Sequence, residues 1–108
     1  MDGRARARTL DAAQLGAELG ERATLVQFST AFCQPCRATR RVLAEVARMV
    51  DGVAHVEIDA EAHLTLVREL EIDRTPTVLV LDATGRIVRR AVGQPRTADV
   101  VAALGRAM

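Results

Sequence analysis

The chain has no tryptophan and no tyrosine, and its only phenylalanines are Phe28 and Phe32 among 108 residues. With so few rings, Leu, Val, Ile and Ala must fill the interior. Hydrophobic residues make up 49% of the chain, enough for one core at single-domain length. Lysine is absent too. All 15 basic residues are arginine, set against 14 acids for a net charge of +1. That balance argues against nucleic-acid binding driven by bulk charge. No apolar run approaches the ~20 residues needed to span a bilayer. The basic start Met1–Arg8 is not followed by an apolar stretch, because Asp11, Gln14 and Glu18 interrupt it. A secretory leader is therefore not expected, and the expected compartment is the cytoplasm, where lasting structural disulfides are rare.

Cysteine is scarce as well: only Cys33 and Cys36. Structural cysteines more often sit far apart and staple loops. These stand in Phe32-Cys33-Gln34-Pro35-Cys36, between an apolar stretch, Leu25–Thr30, and an amphipathic one, Arg37–Val50. A Cys-x-x-Cys pair between a strand and a helix is a redox signature. Helix geometry puts the first sulfur at the exposed N-terminus, where unpaired N–H groups and the helix dipole favour a thiolate. The second sulfur follows closely enough to attack a mixed disulfide formed by the first.

The remaining pattern is read in chain order. Met1–Arg8 forms a basic arm ahead of a single domain over 9–108, and Arg6–Leu10 is a candidate edge strand. Asp11 caps a helix from Ala12 to about Leu19, with Leu15 and Leu19 on one face and Gly20 as its stop. Thr24–Thr30 is a buried strand. A helix from Cys33 or Gln34 to Val50 carries the stripe Val42, Leu43, Val46, Met49, Val50, and Pro35 is tolerated in its first turn. Val53–Asp59 alternates as a strand, with Ala54, Val56 and Ile58 on one side and Val53, His55, Glu57 and Asp59 on the other. Glu61–Leu70 is a helix with Leu66, Val67 and Leu70 inward. Thr77–Leu81 and Arg86–Ala91 form a hairpin across Asp82–Gly85, interrupted at Gly93. Thr97 caps a last helix to about Leu104, with Val100, Val101 and Leu104 inward. Strands separated by helices imply parallel pairings, and the hairpin an antiparallel edge.

These residues resemble the thioredoxin family. The resemblance rests on the strand Leu25–Thr30, the Phe-Cys-Gln-Pro-Cys-Arg motif, Val56-Glu57-Ile58-Asp59, Arg74-Thr75-Pro76-Thr77, the turn at Gly85, and Gly93. It implies an α/β thioredoxin fold with a central mixed sheet of about five strands and about four helices. It implies a protein-disulfide oxidoreductase in which Cys33 is the nucleophile, Cys36 resolves the mixed disulfide, and the disulfide itself replaces any cofactor. Pro76 is expected to follow a cis bond and pack beside the disulfide. The backbone of Thr75 then faces a substrate strand. Phe32, Gln34, Pro35, Thr75, Pro76 and Gly93 are the expected substrate surface. Disulfide-containing proteins are the implied substrates, and a thioredoxin reductase the implied electron donor. A monomer with no nucleic-acid or membrane partner completes the expectation.

The chain also departs from the family. Phe32 stands for the usual Trp and Gln34 for the Gly between the cysteines, so the redox potential and the direction of exchange stay open. The family's buried Asp and its Lys partner correspond to Gln27 and His55. Gln cannot take a proton as a carboxylate does, whereas His can, with an ordinary pKa of ~6.5. Two readings follow. His55 takes over proton transfer with Cys36, oriented by Gln27 or a bridging water, or the two form a neutral hydrogen-bonded pair. Arg37 is a further candidate for stabilising the thiolate, or a solvated charge. Two other classes remain. One is a thioredoxin-fold binding or scaffold module with little redox turnover. The other is a zinc site of Cys33, Cys36, His55 and His63. Zinc is disfavoured because the histidines are separated by more than the usual three to five residues and sit on different elements. No metal is expected.

Overall fold

The computed structural model describes residues 8–108. Its strands are β1 (Ala23–Ser29), β2 (Val53–Asp59), β3 (Thr77–Asp82) and β4 (Ile87–Val92). Its helices are α1 (Ala12–Leu15), α2 (Gln34–Met49), α3 (Leu64–Glu69) and α4 (Thr97–Ala107). The sheet order is β2-β1-β3-β4. β1 pairs parallel with β2 and antiparallel with β3, and β3 pairs antiparallel with β4. The closing antiparallel hairpin and the parallel β1–β2 pairing are as expected, but β3, which also follows a helix, runs antiparallel to β1, so helix-separated strands do not all pair parallel here.

β1 is central, and all seven of its residues are buried. Its alternation divides the core in two. Val26 and Phe28 join Val56, Ile58, Leu79 and Leu81 on the face covered by Leu15, Leu66 and Leu70. Ala23 and Leu25 join Val78 and Val80 on the face covered by Leu43 and Val46 of α2 and Val100 and Leu104 of α4. β2 keeps its alternation, with Val56 and Ile58 packed on one face and Val53 on the other. Each fully buried Leu, Val or Phe is worth roughly 1.5–3 kcal/mol, so aliphatic side chains suffice where aromatics are few.

Several sequence expectations are corrected. The sheet has four strands among the described residues. Of the edge strand expected over Arg6–Leu10, Thr9 forms a single bridge to Arg86, while Arg6 and Ala7, like most of the basic arm, lie outside the described residues. α1 has its predicted cap, with Asp11 accepting from the Gln14 backbone, but stops at Gly16 and not Gly20. Gly16, at φ 71°, ends the helix one turn after it begins. Gly20 serves close packing instead, since a Cβ there would lie 2.1 Å from the Ala23 carbonyl oxygen. α3 begins at Leu64, later than Glu61, because the Asp59 side chain and carbonyl hold Glu61 and Ala62 in a turn. His63 lies at the start of α3, exposed, its Nδ1 3.0 Å from the Asp59 carbonyl. Thr97 is the first helical residue of α4, whose cap position is Arg96, and the helix runs on to Ala107. Met49 and Val101 end their stripes facing solvent, 57% and 46% exposed.

Candidate active site

The apolar run of β1 carries the chain to the end of the sheet, and Cys33 follows after a short turn. Cys33 is the N-cap of α2, in extended conformation, and its sulfur accepts from the Cys36 backbone N–H at 3.2 Å. Pro35 sits in the first turn, where a missing N–H costs nothing. Buried Thr39 returns its hydroxyl to the Pro35 carbonyl at 2.7 Å, bracing that turn. Cys33 and Cys36 are joined in a disulfide, their Cα atoms 5.2 Å apart. The two sulfurs differ in access. Cys33 is half-buried, whereas Cys36 is 1% exposed.

Beneath Cys36 lies a polar cluster on the α2 side of the sheet. Gln27 is fully buried. Its Nε2 donates to the Cys36 carbonyl at 2.8 Å and to Ser29 Oγ at 2.9 Å. Its Oε1 lies 3.2 Å from His55 Nε2. An amide offers two N–H donors and one accepting oxygen. Both donors are used, and the oxygen can only accept, so the network assigns the proton to His55 Nε2. The lone pair of the neutral ring is then at Nδ1. Burial pushes the His55 pKa below its ordinary value, with nearby Glu57 opposing and Arg40 reinforcing the change.

Glu57, two residues beyond His55, accepts from Arg40 Nε at 2.7 Å and Nη2 at 2.8 Å. The Arg40 hydrogen bond holds the Glu57 carboxyl below the usual range, against partial burial and with a smaller contribution from the Ser29 hydroxyl. Arg40 is raised by the same partner. Ser29, Glu57 and Arg40 are not among the site residues that the sequence singles out. The available signal is the two-residue period, which puts Gln27 with Ser29 and His55 with Glu57 on one face of neighbouring strands.

A second loop meets the end of β1. Thr30 Oγ1 and Thr75 Oγ1 are 3.0 Å apart. The Thr75–Pro76 bond is cis, as the resemblance implies, and Pro76 is buried. The Gly93 N–H donates to the Pro76 carbonyl at 2.8 Å. Thr75, Pro76 and Gly93 are therefore linked. Gln34 and Pro35 are exposed, and Phe32 is 97% exposed with φ 60°, so its ring packs against almost nothing. Among the described residues no group of three or more His, Cys, Asp and Glu side chains is placed to hold a metal ion. His63 is bonded to the Asp59 carbonyl, apart from the Gln27–His55 network.

A layered α/β fold that sets a Cys-x-x-Cys disulfide at the start of a helix defines the class of thioredoxin-fold proteins. The chain belongs to the thioredoxin family, whose model, described as Thioredoxin, matches residues 8–106. Among curated proteins it is 30% identical over 69 residues to an H-type thioredoxin of Ricinus communis, covering 64% of this chain and 58% of that protein. It thus spans less than two thirds of the length of that relative. It is 30% identical over 87 residues to a thioredoxin of Mycolicibacterium smegmatis, covering 78% of this chain and 77% of that one. Solved structures share the fold. A mutant thioredoxin from Halobacterium salinarum superposes with a TM-score of 0.73 at 20% identity, over 81% of this chain and 75% of that one. Spinach chloroplast thioredoxin f, short form, gives 0.70 at 24% identity, over 82% and 78%.

Proposed function

We propose that residues 9–108 act as a thiol–disulfide oxidoreductase that reduces protein disulfides through a Cys33/Cys36 cycle. The observation that carries this reading is the difference in access between the sulfurs, with Cys33 at the helix N-cap and Cys36 buried behind it. The Cys33 thiolate attacks one sulfur of a substrate disulfide. A Cys33–substrate bond forms, the substrate S–S bond breaks, and the other substrate sulfur leaves as a thiolate. Cys36, deprotonated, then attacks Cys33. The mixed disulfide breaks, the second substrate thiol is released, and the Cys33–Cys36 disulfide forms. Two electrons pass from the dithiol to the substrate.

In this reading His55 accepts the Cys36 proton. Gln27 carries none, so it orients the ring through its contact with Nε2, and Nδ1 is left as the basic atom. Thr75, Pro76 and Gly93 form the floor of the substrate surface, and Phe32, Gln34 and Pro35 its exposed rim. Disulfide-containing proteins are the substrates, a thioredoxin reductase the electron donor, and the disulfide the sole redox group of a cytoplasmic monomer. Among the described residues no helix is long and apolar enough to cross a membrane.

The test is the Cys33–Cys36 equilibrium against graded dithiothreitol or glutathione buffers, read by thiol labelling. A potential near about −270 mV supports a general reductase. A much less negative value makes the chain an oxidant. A pair that never closes reversibly overturns the reading in favour of a scaffold.

A further inference from the structure

We propose that Arg40 and Glu57 are positioning residues of the redox site, whose ion pair sets the charge state of His55. The inference rests on the reading of His55 as the proton acceptor for Cys36. Arg40 stands one turn beyond Cys36 on α2. Its guanidinium grips both oxygens of Glu57, at 2.7 and 2.8 Å. Glu57 follows His55 on the same face of β2 and is the cross-strand partner of Gln27. One bidentate contact therefore ties the helix that carries Cys36 to the strand that carries His55, in a geometry that fixes direction as well as distance.

Stability alone does not account for this pair. Its side chains are 49% and 28% exposed, and partly solvated ion pairs contribute little to folding. Its position suits a different task. Glu57, on the strand of His55, and Arg40, on the helix packed over it, are the charged groups that act on the imidazole, and in opposite directions. From β1 the ring faces no charged group: its cross-strand partner is Leu25 and its hydrogen-bond partner the neutral amide of Gln27. While the pair is intact the two charges oppose one another at the ring, and burial favours its neutral form. Loss of Arg40 leaves an unbalanced carboxylate that favours the imidazolium. Loss of Glu57 leaves an unbalanced guanidinium that disfavours it. A simple structural clamp has no such sign, because breaking it from either side loosens the same contact.

The experiment is a proton NMR titration of His55 in the oxidised protein, where both sulfurs are bonded and no thiol titrates. A His63→Gln background leaves one imidazole to follow. Relative to that background, Arg40→Gln is expected to raise the midpoint and Glu57→Gln to lower it, each by about half a pH unit or more. Arg40→Lys and Glu57→Asp restore it in part. Far-UV circular dichroism checks that each variant folds. Shifts in one common direction, or no shift, overturn the proposal. The pH profile of mixed-disulfide resolution in the same variants separates the two readings. A profile that follows the imidazole supports both. Opposed midpoints with an unmoved profile support charge control by the pair and sink the role of His55 in exchange.

Discussion

The side-chain amide of Gln27 donates to the backbone carbonyl of Cys36 at 2.8 Å. The second cysteine is thereby held through its main chain, from a strand, while its sulfur stays free to change partners. The same amide faces His55, so one buried residue joins the helix start to the titratable ring.

Replacing Gln27 by Leu removes its hydrogen bonds to Cys36, Ser29 and His55 at once. The half-buried His55 Nε2–H loses its acceptor and the Cys36 carbonyl loses its second donor, and leaving a buried polar group unpaired costs about 1–3 kcal/mol. Chemical denaturation is expected to show a loss of at least that size. The NMR signature of the Nε2-protonated tautomer of His55 should weaken in the same variant.

The two cysteines should not be interchangeable. Cys36→Ser is expected to accumulate a stable mixed disulfide on Cys33, detectable by mass spectrometry as a covalent adduct. Cys33→Ser should form none at the comparable rate, because the remaining sulfur is buried. Equal labelling of the two single-cysteine variants would contradict the assignment.

His55 should leave a mark on stability as a function of pH. Burial lowers its folded pKa, so the unfolded chain binds the proton more readily. Its contribution is fully present above the unfolded value of about 6.5 and is lost as pH falls through the lower folded value. Resistance to urea should fall with acid in that window, and His55→Gln should flatten the slope there. Glu57 acts lower down. Its depressed carboxyl stabilises above the ordinary carboxylate pKa, an effect lost as pH falls through the folded one. Its partial exposure limits this to about 1 kcal/mol or less, which Glu57→Gln should remove.

Two glycines offer a comparison of backbone and contact. Gly85 and Gly93 have φ of 90° and 92°. A Cβ at Gly93 meets nothing within 4 Å, whereas at Gly85 it lies 2.1 Å from the Leu10 carbonyl oxygen. Gly93→Ala is expected to cost about 1–2 kcal/mol from the left-handed backbone alone. Gly85→Ala should cost clearly more, because the Leu10 segment has to move as well. Thermal denaturation of the two variants gives the ranking.

Much of this molecule is legible from local pattern. The alternation of β2 puts Val56 and Ile58 on one core face and His55 with Glu57 on the other, and the helix after Cys33 follows from its spacing and from Pro35. What escapes depends on register. The parallel pairing sets Gln27 against Glu57 and Ser29 against Asp59, and nothing local to either strand specifies it. Arg40 reads as one more charge on a basic helix until the strand beneath it is in place. Gly16 and Gly20 are equally good helix stops by composition, and only the tight approach to the Ala23 carbonyl explains why Gly20 does something else. The fifth strand is expected from a basic segment that meets the hairpin through the Thr9–Arg86 bridge and the flanking bonds of Arg8 with Ile87 and Leu10 with Gly85, too short a pairing to make a strand.

Gln27 has one further consequence. An amide keeps the same net charge at every pH and in every redox state. A carboxylate in its place would have to shed or regain charge within a poorly polarisable interior each time the sulfurs changed partners, and moving charge in such surroundings is expensive. With Gln27 the buried side chain beneath the disulfide stays electroneutral throughout, and the ionisation that exchange requires falls on the cysteines and on half-buried His55. Gln27 itself therefore adds no pH dependence to the site, and whatever pH dependence the site has must come from the cysteines, His55 and Glu57.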